Sequence, residues 1–424
     1  GATGDNIVLA GGATQSGFGR TGTVDWQTGS IKTATFTAAN GEGYFANTSG
    51  GAFTMNLPAG VVGAIVSVQD YNNTFDSNAL TVDANGTEKI NGGDAGEPVE
   101  LNTEGRGVTF VYVDATVGWR SVQDNDFTKK GVAATFITAT GGTVTCSGNF
   151  KIHTFTGPGT FTVCSVGNPA GSDSVDYIVV GAGGSGGQRI GGGGGAGGFR
   201  EGFNPGSYIA SPLATTALPV SVQGYGIVIG GGGPGGSGGP SGRIGVNGSL
   251  SSFSTITSAG GGGGGFYCGS TTAGLPGGSG GGGGSLGGGG SAGGTGNTPP
   301  VSPAQGFPGA PGVAITCGYG GGGGGGATVI GTRTCNPTSG GPGGAGATTL
   351  ITASPVTYAG GGGGGSCSGA GAGGAGGGGA GSPNGPNATA GTANTGGGGG
   401  GARGDSGNSG AGGSGIVVIR YKFQ

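Results

Sequence analysis

Glycine in unbroken runs narrows the choices more than any other feature of this chain. Gly fills positions 320–326 without interruption, six-residue tracts lie at 260–265, 360–365 and 396–401, and shorter ones at 191–195 and 230–233. In an α-helix each Gly costs about 1 kcal/mol relative to Ala. In a sheet such a tract offers no side chain to pack. What remains for an ordered chain is the left-handed helix of polyproline type. It turns once per three residues, rises about 3.1 Å per residue and makes no internal hydrogen bonds. Its N–H and C=O groups point outward. With no side chains in the way, neighbouring helices can approach closely and bond to one another, and weak Cα–H···O contacts add to the array. A six-residue tract would be roughly 19 Å long. Several tracts of similar length predict a bundle of polyglycine II helices with loops gathered at its two ends. The rival is a flexible linker. Against it, aromatic and Cys-bearing loops punctuate the tracts, and a clear strand from Ile416 to Tyr421 closes the chain.

Gly also splits the sequence. Of 124 Gly, 28 lie in residues 1–170 and 96 in 171–424. Charged residues make up only 8%, which argues against a charge-extended disordered chain. The first part holds 8 Lys/Arg and 14 Asp/Glu (−6) and the second 7 and 4 (+3), for a total of −3. Neither part has the clustered basic surface of a nucleic-acid binder. No apolar run reaches the length of a membrane span, and no basic-then-apolar signal segment opens the chain.

The first part reads as strands. Thr33 to Thr37, Tyr44 to Asn47, Ala52 to Leu57, Ala64 to Asp70, Leu80 to Asp83, Val108 to Val113 and Trp119 to Val122 are β-branched or aromatic runs between Gly, Asn, Asp and Pro clusters. Phe53, Met55 and Leu57 share one face by alternation, as do Val108, Phe110 and Tyr112. These runs predict a small antiparallel β-sandwich. The expected protein is all-β and elongated. Residues 1–22 read as a linker from a preceding part, 23–124 as the sandwich and 125–142 as a second linker. Residues 143–180 read as a β-hairpin (Phe150 to Thr156, turn at Gly157-Pro158-Gly159, Thr160 to Ser165) with a following strand, and 181–424 as the glycine-rich bundle with closing strand 416–421.

Six Cys allow three disulfides among 15 connectivities. Small loops favour Cys146–Cys164 and Cys317–Cys335, leaving Cys268–Cys367; free buried thiols are the alternative. No CxxC occurs and there is one His, so no metal site is expected.

Several motifs tempt and fail. Gly181-x-Gly183-x-x-Gly186 follows a strand, with Glu201 about twenty residues on, but a dinucleotide site needs a helix where the chain has Gly191 to Gly198 with one Ala. No cofactor is expected. His153 lies in an alternating strand without a nucleophile partner. Asp124 and Asp126 sit in a polar linker, unlike a glycosidase carboxylate pair. Arg403-Gly404-Asp405 arises easily in so glycine-rich a chain. No catalytic residues and no enzyme activity are expected. The loops carry the remaining weight: Phe266, Tyr267, Phe307, Tyr319, Arg333 and Tyr358 adjoin or separate the tracts, and aromatics and Arg at loop tips are common anchors for a saccharide or protein partner. The competing role is to cap the glycine bundle.

Four phrases in order, "FKIHTFTGPGTFTV", "VDYIVVGAGGSGG", "GGGGGAGGFREG" and "GGSGIVVIRY", resemble the glycine-rich (polyglycine II) domain at the ends of phage tail fibres, over about Phe150 to Tyr421. The front segment, from "VDWQTGSIKTATF" to "VYVDATVGWRSV", is similar to a module in fibre proteins of marine, especially cyanobacterial, phages. The resemblance implies a homotrimeric, extracellular fibre of the virion. Its distal loops would bind a host-surface glycan such as lipopolysaccharide, or an outer-membrane protein, while other tail or baseplate proteins would join through a preceding part. A structural subunit of a bacterial filament or surface appendage is the alternative, and a glycan depolymerase is disfavoured by the sparse carboxylates and single His.

Overall fold

The computed structural model describes residues 24–122, 129, 131–237, 243–267, 273–286, 289–315, 318–333, 339–383, 385–404 and 407–424. Every regular element among them is a β-strand. The chain divides into two compact units between Ala133 and Ala134, inside the stretch read as the second linker.

The first unit is two sheets around one core. One has the strand order Asp25–Trp26, Glu42–Ala46, Ile65–Asp70, Gly107–Asp114, Gly118–Val122; the other runs Phe36–Thr37, Phe53–Asn56, Leu80–Asp83, Val99–Leu101. The alternations hold. Phe53, Met55 and Leu57 are buried, as are Val108, Phe110 and Tyr112, and they join Val66, Val68, Leu80 and Trp119 in a single cluster. The pairing corrects the expected antiparallel sandwich, because both sheets are mixed. Asp25–Trp26, Glu42–Ala46 and Ile65–Asp70 run parallel, and so do Phe36–Thr37, Phe53–Asn56 and Leu80–Asp83. Up to Leu80–Asp83 the chain alternates between the sheets, so each strand of one sheet is the crossover that parallel neighbours in the other require.

In the second unit, Thr143–Ser147, Phe150–Phe155, Ile416–Lys422, Ser174–Val180, Phe199–Phe203 and Ala214–Thr216 lie side by side in a seven-stranded sheet, with Leu218–Pro219 also paired to Ser174–Val180. A five-stranded sheet runs Thr138–Thr140, Gly159–Ser165, Gly224–Val228, Ser251–Phe253, Ile256–Ser258. Phe155, Phe161, Tyr177, Tyr225, Phe253 and Tyr421 belong to a core fed by both sheets. The other face of the larger sheet contributes Ile178, Val180, Phe199 and Val418 to a second cluster with Ile351 and Tyr358. The hairpin expected around Gly157-Pro158-Gly159 is not one. Phe150–Phe155 pairs with Thr143–Ser147 and the closing strand, while Gly159–Ser165 pairs in the smaller sheet. The closing strand takes the edge a hairpin partner would have used, so the Gly-Pro-Gly turn becomes a corner between sheets.

The glycine tracts form the expected array, and their hydrogen bonds reveal the helix period. Gly183 and Gly186 donate to Gly413 and Gly410; Gly184 and Gly187 donate to Gly195 and Gly192; Ala182, Ser185 and Gln188 donate to Ser249, Val246 and Arg243. Every third residue therefore faces the same neighbour, as three residues per turn require.

Residues 191–198 lie at the centre. They donate to segments 259–265, 322–325 and 396–402, and accept from 181–187, 279–282 and 362–365. Bonds between successive members close these six segments into a ring: 264 to 185, 262 to 279, 325 to 280, 324 to 362, 398 to 360 and 399 to 184. The result is a hexagonal array, with the central segment antiparallel to every neighbour except 322–325. A Cβ on Gly193, Gly194 or Gly195 would lie 2.0–2.2 Å from a neighbour's carbonyl oxygen, so the close approach excludes any side chain at these positions.

Candidate binding surface at the loop end of the array

The register of the central segment gives the array two distinct ends. Near Gly198 and Gly197 the neighbours are Gly181, Ala259 and Gly396. Ser174–Val180, Phe199–Phe203 and Ile256–Ser258 run directly into this end, and the Ala347–Thr349/Val356–Tyr358 hairpin leads from it into the tract at 360–365. Near Gly191 and Gly192 the neighbours are Gly187, Gly265, Gly365 and Ala402. There the chain reverses through Gln188–Arg189–Ile190 and through loops that begin at Phe266–Tyr267, Ser366 and Arg403. One end is the sheet end; the other is a loop end.

The expected site residues separate along this axis. Phe266, Tyr267, Tyr319 and Arg333 fall at the loop end. Tyr267 and Tyr319 meet edge to face, with ring centroids 6.0 Å apart and planes at 78°. Both are half-buried and Arg333 is exposed. Phe307 and Tyr358 are at the sheet end. The Phe307 backbone bonds Gly326 and Gly280, and Tyr358 is 4% exposed within the second core cluster. Tyr358 is thus a core residue rather than a loop-tip anchor.

The loop end carries cations that the loop reading missed. Besides Arg333 it holds Arg189, Arg243, whose carbonyl accepts from the Gln188 N–H, and Arg403, which follows the Ala402 carbonyl bonded to Gly191. Arg243 and Arg333 are exposed; Arg189 and Arg403 are half-buried. Among the described residues no Asp or Glu lies at this end, and Asp405 is outside them. The surplus of +3 in the second part of the sequence was the available signal; only the array's directions place it. Arg189 and Ile190 both hold positive φ, 51° and 60°. That conformation is costly for a β-branched residue, and such strain recurs at ligand-binding positions. Gln188 braces the turn by donating from Nε2 to the Ser237 carbonyl at 2.5 Å.

The buried carboxylates of the second unit, Asp176 and Glu201, belong to the sheet end. Glu201 accepts from Tyr208 Oη at 3.0 Å, the Ser211 N–H at 2.8 Å and Thr349 Oγ1 at 2.5 Å. Burial and the Glu201 carboxylate push the Tyr208 phenol far up. Asp176 accepts from the Asn204 N–H at 2.7 Å, and burial raises its carboxyl to about 6 despite Arg420 nearby. Arg420 stacks on Phe150 at 4.1 Å and donates to the Ser207 carbonyl at 2.9 Å. Glu201 is thus a brace between strand and hairpin, and no helix follows the Gly181-x-Gly183-x-x-Gly186 run. Cys146 and Cys164 are free, exposed thiols, and Cys367 is free too. The expected Cys146–Cys164 and Cys268–Cys367 bridges are therefore not formed. For the first pair, Thr143–Ser147 and Gly159–Ser165 belong to different sheets. Cys268, Cys317, Cys335, Asp124 and Asp126 lie outside the described residues.

The family model for the glycine-rich domain matches residues 154–422. The chain belongs to the glycine-rich domain family. The match covers the larger sheet's Ser174–Val180, the whole hexagonal array and the closing strand as one domain. No curated protein matches the chain.

Proposed function

We propose that this glycine-rich domain protein is the distal part of a bacteriophage tail fibre and that its loop end binds a receptor on the bacterial surface. The observation that carries this reading is the gathering of Tyr267, Tyr319 and four arginines at one end of an array whose other end is closed by sheets. Arginine recognises phosphate and carboxylate through a planar fork of donors. Tyr rings supply rigid contact area at small entropic cost. Together they suit an anionic cell-surface polymer such as lipopolysaccharide, or an acidic loop of an outer-membrane protein. The reading requires no acid–base pair. In a homotrimeric fibre on a virion, weak sites would act together through avidity.

The test is binding of the labelled full chain to a panel of marine bacterial cells. Saturable binding to a narrow set of strains, lost on Tyr267→Ala with Arg243→Ala, supports the adhesin. A folded chain that binds no strain and polymerises on its own would favour the filament subunit.

A further inference from the structure

A separate cleft of about 630 Å³ opens on the side of the array nearer the sheet end. That volume is within the range of small-molecule sites. Arg200, Thr255 and Thr257 line it, with Leu250, Pro299 and Val301 as its apolar part.

Arg200 comes from strand Phe199–Phe203. Its cross-strand partner is Val179, whereas the buried Glu201 opposes Ile178. Alternation therefore puts Glu201 into the polar brace and Arg200 toward the cleft. No hydrogen bond or ion pair engages the Arg200 guanidinium among the described residues. Thr255 and Thr257 are exposed.

The opposite wall is prebuilt. Asn297 accepts from the Val301 N–H at 3.1 Å and the Gln305 N–H at 3.2 Å. Gln305, 1% exposed, donates to the Pro299 carbonyl at 2.8 Å and accepts from the Ala259 N–H at 2.9 Å. The loop 297–305 is thus strapped shut and pinned to the array. A wall ordered in advance spares a ligand the entropy of ordering it.

We propose that this cleft binds an acidic saccharide unit, its carboxylate on Arg200, its hydroxyls toward Thr255 and Thr257, and its C–H face against Leu250, Pro299 and Val301. An unengaged guanidinium calls for a planar anion. A strip of apolar side chains beside free hydroxyls suits a ring with one apolar face and a polar rim better than it suits a bare phosphate. The site is distinct from the loop end and does not depend on the tail-fibre reading.

The test is calorimetric titration of the full chain with a galacturonate trisaccharide, a neutral galactose trisaccharide and inorganic phosphate. The acidic trisaccharide is expected to bind saturably and at least about tenfold more tightly than the neutral one, the scale of one charge-assisted bidentate contact. Arg200→Met is expected to remove that preference, Arg200→Lys to weaken it, and Arg120→Met, at an exposed arginine of the first unit, to leave it unchanged. Thr257→Val supplies a second probe that leaves the Arg200 strand intact and is expected to weaken binding. Equal binding of the neutral trisaccharide, undiminished binding in Arg200→Met and Thr257→Val, competition by phosphate as strong as by the sugar, or no binding to the wild-type chain would each overturn the proposal.

Discussion

His153 and Tyr421, 268 positions apart in the chain, stack with ring centroids 5.5 Å apart, and His153 Nε2 lies 3.2 Å from the Tyr421 phenol oxygen. The other ring nitrogen, Nδ1, is 2.7 Å from the Gly141 carbonyl oxygen, which can only accept, so Nδ1 donates. The proton therefore sits on Nδ1, and Nε2 accepts from Tyr421. The one His of the chain joins the start of the glycine-rich domain to its closing strand as a neutral ring.

Acid should loosen this joint. Burial lowers the His153 pKa from 6.5, against the Gly141 carbonyl, which raises it, and with help from Lys151. A depressed folded pKa means stability that is present above 6.5 and is lost as pH falls through the folded value. The stability advantage of wild type over His153→Gln, measured by denaturant unfolding, is expected to shrink on acidification. An advantage that stays constant down to about pH 4.5 would reject this assignment.

Asp176 should act with the opposite sign. Its pKa is raised from 3.8 to about 6, chiefly by burial. Its contribution is full below 3.8 and is lost as pH rises through about 6. Between those limits wild type should lose on the order of 3 kcal/mol relative to Asp176→Asn, which does not titrate. Paired unfolding curves at each pH measure the difference. A constant offset between the two proteins would refute the shift.

Neighbouring glycines should respond differently to a methyl group. A Cβ on Gly232 would lie 1.9 Å from the Gly412 oxygen, and one on Gly194 would lie 2.1 Å from that of Gly184; Gly231 has nothing within 4 Å. Gly194→Ala and Gly232→Ala are expected to cost about 3 kcal/mol each. Gly231→Ala should be neutral or stabilise by up to about 1 kcal/mol, through the unfolded chain. Thermal unfolding of the three variants decides, and equal losses at all three would contradict the packing described.

The aromatic residues should divide by end. Tyr267→Ala and Tyr319→Ala are expected to reduce cell binding with little change in melting temperature. Tyr358→Ala should cost about 3 kcal/mol of stability. Arg243→Ala should weaken binding most at low ionic strength, because exposed charges are screened by salt. Cell-binding isotherms at two salt concentrations, with melting curves, check all four.

The array was legible because a glycine run excludes every other ordered structure. Its centre was not. The middle segment, 191–198, starts from a five-residue tract and includes Ala196, whereas the longest tract, 320–326, lies in the ring. Ring position depends on loop lengths and strand register rather than on tract length. Direction explains the split among the aromatics. The tracts at 260–265 and 360–365 both run from the sheet end to the loop end, so Tyr358, before its tract, enters the core, and Tyr267, after its tract, reaches the loops. In the first unit alternation located the strands. Alternation cannot say whether a turn returns to the same sheet or crosses the core, which is why the parallel pairs went unforeseen. Val99–Leu101 was too short, and Asp25–Trp26 too exposed, to stand out.

The hydrogen bonds of the array run across the helix axes, and the central segment makes two or three with each of its six neighbours. A pull on Tyr267 resisted at Val180 therefore loads them in shear, all at once, instead of peeling them open one by one. Tension applied at Tyr267 passes from the tract at 260–265 into three neighbours of the array, 181–187, 191–198 and 279–282, to which it is bonded.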